Sequence, residues 1–355
     1  MDSSASLEVQ IQKLEEKMKS ANLPPDLLEK INGMIALLAV SLKQGGSSFT
    51  SYEGISSYID WVVSLPFNKE TTDILDLNSA KKILDKNHYG LDSVKNRILE
   101  YLASIILSLQ NNSGDKVIRA PILCLIGLVG TGKTTLAYSI AEAMGRKFER
   151  IPFGGMGDAR SLRGQSRAFA DAEPGAIIKK LVHAQSRNSV ILLDELDRVT
   201  ESGRADIMGV LVELLDPEQN KGFSDHYVDY PFDLSHVLFI ATANNTTNIS
   251  TAVLDRLEIV QMPSYTDEEK QTIAKSYLFP KIKQQTGLSE AQITIDDALW
   301  PSVIRPLGFD SGIRSLERTI EGMCRKVARA IVEGKVPQGG SIRITNDNFK
   351  EFIPV

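Results

Sequence analysis

From residue 121 to about residue 260 the chain alternates apolar runs with stretches of helical spacing. The apolar runs fall at 121–126, 148–152, 189–194, 237–243 and 257–261. A strand that is apolar throughout is buried on both faces, and successive strands of this kind run parallel when helices carry the chain back over the sheet. The pattern predicts an α/β domain of three layers, a parallel sheet between two sets of helices.

Upstream the spacing is helical. Leu7, Ile11, Leu14 and Met18, then Leu27, Ile31, Met34 and Leu38, follow a 4-3-4 spacing divided by Pro24-Pro25. Such a stripe suits a helical hairpin or short coiled coil, with Asp26 placed to cap the second helix. A Gly45-Gly46-Ser47-Ser48 linker precedes a short helix around Tyr58-Ile59-Asp60-Trp61-Val62-Val63, stopped at Pro66. Helices near 79–87 and 91–110 lead to a polar loop, Asn111-Asn112-Ser113-Gly114. Beyond Pro263 come helical stretches near 267–286, 296–305 and 311–333, a short strand at Ile342-Arg343-Ile344 and a last helical turn. The expected division is a helical arm (1–66), a helical lead-in (67–120), the α/β domain (121–262) and a small, mainly helical domain (263–355).

Composition narrows the class. The chain has 355 residues, 42% of them hydrophobic, enough for two or three domains with cores. Its formal charge of -5 gives no general attraction to nucleic acid or anionic membranes, leaving only a local basic patch as a route to either. Cys124 and Cys324, far apart in helical and strand patterns, read as reduced core residues of an intracellular protein. The expected compartment is the cytoplasm, with an organelle matrix as the alternative. No apolar run approaches the roughly 18 residues of a membrane span, and Met-Asp-Ser-Ser-Ala-Ser has no signal composition. The four histidines, His88, His183, His226 and His236, are scattered without metal-ligand spacing.

The first chemical signal lies between Ile122-Leu123-Cys124-Leu125-Ile126 and a helical pattern opening at Thr135-Leu136-Ala137. It reads Gly127-Leu128-Val129-Gly130-Thr131-Gly132-Lys133-Thr134, a full G-x-x-x-x-G-K-T phosphate loop in its strand-then-helix setting. The glycines let backbone N–H groups close around phosphates, helped by the positive end of the following helix. Lys133 is placed for the outer phosphate oxygens. The Thr134 hydroxyl is placed for Mg2+, which keeps most of its waters and takes few protein ligands. Gly127, Leu128, Val129, Gly130, Thr131, Gly132, Lys133, Thr134 and Thr135 form the expected nucleoside triphosphate-binding set.

A second signal ends the run Val190-Ile191-Leu192-Leu193-Asp194-Glu195, where an open parallel sheet exposes its functional edge. Asp194 would hold the magnesium shell, and Glu195 would orient and polarise the attacking water. The run ending at Asn244 supplies an amide for that water or for the terminal phosphate. Arg256, in Leu254-Asp255-Arg256, and Arg314, in Gly312-Ile313-Arg314, are two further candidates that would each count as surface residues if taken singly.

The order of these elements resembles the AAA+ ATPases, and the wording is similar to the Lon protease family. The strings that carry the likeness are Asp60-Trp61 through Leu65-Pro66, Asn87-His88-Tyr89-Gly90-Leu91, Leu215-Asp216-Pro217-Glu218-Gln219-Asn220, Phe223-Ser224-Asp225-His226-Tyr227, Ala241-Thr242-Ala243-Asn244, Leu254-Asp255-Arg256 and Gly312 to Arg318. The resemblance implies that Asn244 is the first sensor, Arg256 an arginine finger reaching a neighbouring subunit's nucleotide, and Arg314 the second sensor. It places His88, Tyr89 and Gly90 on the adenine and ribose side. It also implies ATP and Mg2+ as cofactors, a homo-oligomeric hexameric ring, and unfolded or damaged polypeptides as substrates.

By the same resemblance the segment from Gly154 to Ala170 is the axial pore loop, with Phe169-Ala170 as the aromatic-hydrophobic pair that grips a moving polypeptide. Residues 219–230 would be a second pore loop. Departures stand beside the matches: Leu128-Val129 replaces a usual proline pair, and Asp171 and Glu173 add acids to the pore segment. The chain ends at Val355, where a Ser-Lys proteolytic domain would begin, so no peptidase activity is expected of it alone. The competing expectations are an AAA+ switch or loader acting on DNA, for which the negative charge offers little support, and a scaffold that binds ATP without turnover.

Overall fold

A computed structural model describes residues 12–18, 21–43, 49–111, 121–305, 312–336 and 340–354. The expected pattern at Leu7 and Ile11, the Gly45 to Ser48 linker and most of the 111–114 loop lie outside the described residues.

The arm comprises α1 (12–18), α2 (Pro25–Lys43) and α3 (Phe49–Ser64), followed by α4 (Leu77–Asn87) and α5 (Asp92–Asn111). Pro25 opens α2, since proline's missing N–H costs nothing in a first turn. Asp26 therefore lies within that turn and is no cap; its carboxylate instead accepts the Tyr230 hydroxyl at 2.9 Å.

The sheet region follows as β1 (Ile122–Ile126), α6 (Lys133–Met144), β2 (Phe148–Pro152), α7 (Arg160–Arg163), α8 (Ala176–Ala184), β3 (Val190–Asp194), α9 (Arg204–Leu214), the short β4 (Phe223–Ser224) and β5 (Pro231–Phe232), β6 (Leu238–Ala243), α10 (Thr251–Leu254) and β7 (Leu257–Gln261). The C-terminal region adds α11 (Asp267–Ile273), α12 (Phe279–Gln285), β8 (Ile293–Ile295), α13 (Trp300–Ile304), α14 (Arg314–Val332), β9 (Ile342–Ile344) and α15 (Phe349–Phe352). A π-helical turn at Ala274–Leu278 joins α11 to α12, so the single helix expected over 267–286 is continuous but not uniformly α-helical.

Five parallel strands lie in the order β2-β3-β6-β1-β7. The strand carrying the phosphate loop and the strand carrying the two acids are thus separated by β6. Alternate residues of each strand point to opposite faces and divide the core in two. Cys124, Ile126, Ile191, Leu193 and Phe239 face one cluster, which runs on into the arm through Leu27, Ile31, Tyr58 and Ile59. Leu123, Leu125, Leu192 and Ile240 face the other, which includes α5, α6 and the C-terminal helix α14 through Ile98, Ile140 and Ile320. Strand β2 is at the sheet edge, and Phe-Glu-Arg-Ile-Pro is half polar for that reason rather than apolar throughout.

Both cysteines are buried and free, and burial pushes the Cys124 thiol up to about 12 and that of Cys324 to about 11.

Candidate functional site

The phosphate loop leaves the C-terminal end of β1 with the Gly127 N–H donating to Ala243 O at 3.2 Å. Gly130 and Gly132 have φ of 82° and 91°, conformations that an L side chain rarely takes. A side chain at Gly127 would stand 2.7 Å from Met262 Cβ, so the strand end and loop are closely packed. Lys133 opens α6 and folds back over the loop, its Nζ donating to Gly127 O (2.6 Å), Leu128 O (2.9 Å) and Asn244 Oδ1 (3.2 Å). Burial lowers the Lys133 pKa, against the opposing pull of Asp197, Asp194 and Glu195. Thr131 and Thr135 turn their hydroxyls to Leu128 O and Gly132 O, bracing the loop.

Asp194 ends β3 and is buried. Its Oδ1 accepts the Thr242 hydroxyl and lies 3.5 Å from the Thr134 hydroxyl. Thr242 Oγ1 in turn accepts the Glu195 N–H at 3.0 Å. Glu195 sits in the left-handed region, φ 60° and ψ 51°, a conformation that costs a non-glycine residue roughly 1–2 kcal/mol. The turn Leu196–Arg198 that follows brings the buried Asp197 under Asn244. A Cβ at Gly154 would lie 3.0 Å from Glu195 Oε2, so glycine there leaves the carboxylate room.

Thr134 and Asp194 suit Mg2+ in donor chemistry: one hydroxyl and one carboxylate oxygen side by side at the mouth of the loop. No group of three or more His, Cys, Asp or Glu that could hold a metal occurs among the described residues. Oxygens of a bound phosphate are what such a site would need to complete a shell.

The 88–91 turn docks between α6 and the C-terminal region. His88 Nε2 lies 2.9 Å from Ser139 Oγ, and Asn87 Nδ2 donates to the same oxygen at 3.0 Å. Burial, with the nearby Lys95 charge, lowers the His88 pKa to about 4 and keeps the ring neutral. Gly90 and Leu91 both have positive φ, 61° and 56°, and a Cβ at Gly90 would stand 3.2 Å from Glu269 Oε1. Tyr89 faces Tyr277 of the π-helical turn with ring centroids 6.2 Å apart.

Arg314 stands at the start of α14, directly beside the loop. Ile313 N–H donates to Gly130 O at 3.1 Å, and a Cβ on Gly312 would lie 2.5 Å from Val129 O. Arg256 is placed at the other end of the sheet. Its carbonyl accepts the Ile122 N–H at 3.0 Å, at the start of β1, roughly 16 Å of strand from the phosphate loop. Its guanidinium donates to Ala252 O (2.8 Å) and Asp216 Oδ2 (3.1 Å). The structure therefore brings Lys133, Thr134, Asp194, Glu195, Asn244 and Arg314 to one edge and leaves Arg256 apart from them.

Phe169 is 59% exposed at the tip of a loop closed at its base by Gln165 N–H donating to Glu173 O at 3.1 Å. Ala170 beside it is also exposed. Arg167 anchors the loop inward, its guanidinium 3.9 Å over the Tyr58 ring of α3. The fully buried Asp225 accepts the N–H groups of Gly175 (2.7 Å), Tyr227 (2.8 Å) and Val228 (3.0 Å), tying the base of this loop to residues 225–228.

Sequence reasoning missed three residues of the site: Arg150, Thr242 and Asp197. Asp197 had a signal, a third acid three residues beyond Asp194. Thr242 had only its place in an apolar strand, and Arg150 a charge where an apolar run was expected.

A family model for ATPases associated with various cellular activities (AAA) matches residues 123–265, and the model of the Lon protease AAA+ ATPase lid domain matches residues 284–339. Fold and site define the chain as an AAA+ ATPase module. It is similar to Lon protease of Lawsonia intracellularis (40% identical, 98% of this chain and 40% of the relative), of Syntrophomonas wolfei (42%, 97% and 41%) and of Clostridioides difficile (44%, 90% and 39%). Over these residues the chain belongs to the Lon protease family. It spans about 40% of the length of the relatives it matches. Among the described residues no helix is long and apolar enough to cross a membrane.

Proposed function

We propose that the chain is the ATP-driven unfoldase and translocase core of a Lon-type assembly, hydrolysing ATP to thread polypeptide through the pore of a hexameric ring. The observation that carries this reading is the gathering of Lys133, Thr134, Asp194, Glu195 and Asn244 around one phosphate loop, with Arg256 held at the opposite end of the sheet. In this reading residues 121–262 bind the nucleotide, 263–355 close over it, and 67–120 connect them to the arm of residues 1–66.

Gly127 to Thr135 hold the phosphates, Lys133 exchanging its carbonyl partners for phosphate oxygens. Thr134 and Asp194 would hold Mg2+, which would supply charge neutralisation at the phosphates. Glu195 orients the attacking water and takes its proton, while Asn244 fixes that water or the terminal phosphate by a hydrogen bond. Arg314 answers the nucleotide from the C-terminal region of the same chain. His88, Tyr89 and Gly90 line the base and ribose side. Arg256, too far from its own phosphate loop, serves the neighbour's, so turnover depends on ring assembly. Phe169 and Ala170 grip the polypeptide, for which an exposed aromatic tip on a braced loop is suited.

Two variants test the reading. Glu195→Gln should bind ATP yet hydrolyse it at least about a hundredfold more slowly; turnover at the parental rate would remove Glu195 from its role. Phe169→Ala should keep nucleotide binding and lose unfolding of a tagged substrate. Unchanged unfolding would end the pore-loop assignment, and ATPase stimulation by DNA alone would favour the loader.

A further inference from the structure

We propose that Arg150 is the counter-charge that closes the Asp194 site to free metal, so that a divalent ion enters only together with nucleotide. This rests on reading Asp194 as the acid that faces the nucleotide's magnesium.

Asp194 is 3% exposed. A carboxylate buried to that extent needs a hydrogen-bonded or charged partner to offset its lost hydration. Arg150 supplies the pairing from the edge strand β2: its Nε and Nη2 both lie 2.6 Å from Asp194 Oδ2. The other oxygen, Oδ1, takes the Thr242 hydroxyl and faces Thr134. The two oxygens are thus divided, one given to Arg150 and one turned toward the phosphate loop. Lys133, the cation of the phosphate loop itself, is directed to Gly127 O, Leu128 O and Asn244 instead.

Strand pairing does not impose the Arg150 contact. In the register of β2 and β3, Arg150 stands opposite Leu192 and Pro152 opposite Asp194, so the guanidinium must reach along the sheet to make it. Nor does Arg150 fill the core, since its side chain is 51% exposed. What remains is charge. A divalent ion approaching Oδ1 without nucleotide meets a carboxylate already neutralised by a fixed guanidinium, and the hydroxyl of Thr134 adds no charge to hold it. A bound nucleotide brings its own phosphate charges and reverses the balance. Arg150 acts through Asp194 and is a positioning residue.

The probe is Mn2+ alone, added to the full chain without nucleotide, with the unfolding midpoint as the readout. Arg150→Gln should be stabilised by Mn2+ at concentrations at least about tenfold below those that affect the parent, and Arg150→Lys, which keeps the charge, should follow the parent. Equal Mn2+ dependence of parent and Arg150→Gln overturns the proposal, as does Arg150→Lys behaving like Arg150→Gln. Should Arg150→Gln fail to fold, Mn2+ binding to the parent, followed by electron paramagnetic resonance, decides instead. The affinity must rise at least about tenfold when ADP is present, and equal affinity with and without ADP overturns the proposal. Asp194→Asn separates the two claims. If it keeps the ADP-dependent gain in Mn2+ affinity, the reading of Asp194 fails and the proposal with it. If it loses that gain while Arg150→Gln behaves as the parent, only the role of Arg150 fails.

Discussion

Asp197 accepts the backbone N–H of Asn244 at 3.1 Å through Oδ1 and lies 3.4 Å from its side-chain nitrogen through Oδ2. Those contacts commit the Asn244 amide nitrogen to Asp197, which leaves its Oδ1 for Lys133 at 3.2 Å. The orientation of the amide is therefore set by a residue that need not touch nucleotide.

Replacing Asp197 with Ala should lower ATP turnover by about tenfold to a hundredfold, the range found when a group that orients an active-site residue is removed. Nucleotide affinity should change little. The lost partner of a part-buried N–H adds a stability cost of about 1 kcal/mol. Steady-state turnover beside equilibrium nucleotide binding checks the split, and an equal loss in both would assign Asp197 to the fold alone.

Arg256 lies at the far end of the sheet from its own phosphate loop, so its effect should appear between subunits. Arg256→Ala should bind nucleotide normally and lose roughly a thousandfold or more in turnover. Mixing it with Glu195→Gln should restore part of the activity, because a site with Glu195 intact can then receive Arg256 from its neighbour. Absence of any recovery in mixed assemblies would contradict action in trans.

Gly312 lies against the phosphate loop, where a Cβ would meet Val129 O at 2.5 Å and Gly130 Cα at 2.7 Å. Both are backbone atoms and neither can swing aside. Gly312→Ala should weaken ATP binding by at least about tenfold, equivalent to roughly 1.4 kcal/mol, through displacement of the loop or of the turn carrying Arg314. Titration with a fluorescent nucleotide measures it.

His88 gives a pH dependence of defined sign. Its folded pKa of about 4 is below the ordinary 6.5, so between those values the unfolded chain binds the extra proton. Stability from this group is fully present above pH 6.5 and is lost as pH falls toward 4. The shift corresponds to at most ~3 kcal/mol. His88→Gln should unfold with a flatter dependence on pH over that window than the parent, as followed by denaturant titration at several pH values. Identical slopes would show that His88 is not held neutral.

Much of the sheet was legible from runs of residues. Phe148–Pro152 and Leu257–Gln261 coincide with expectation, and the three inner strands, whose burial on both faces leaves a continuous apolar signature, begin within a residue of it. Shorter or interrupted elements were not legible. The β4–β5 ladder has two residues in each strand, too few for periodicity to register. The π-helical turn at 274–278 keeps near-helical spacing and so hides inside a helical pattern. Helix α3 begins at Phe49, ahead of the expected segment around Tyr58.

The residues of the chain alone determined that a phosphate loop follows a strand, that two carboxylates end another, and that Asn244 ends a third, since each rests on neighbours in the chain. Which strands stand side by side was decided by the tertiary structure. Placing β6 between β1 and β3 puts Asn244 between Lys133 and Asp197, and the Thr242 hydroxyl against Asp194. The same packing brings Arg150 to Asp194 from the sheet edge, Gly312 onto the phosphate loop, and Arg256 to the opposite end. Periodicity reports which face of an element is buried. Partners distant in sequence come from strand order, register and the reach of long side chains, which local spacing does not encode.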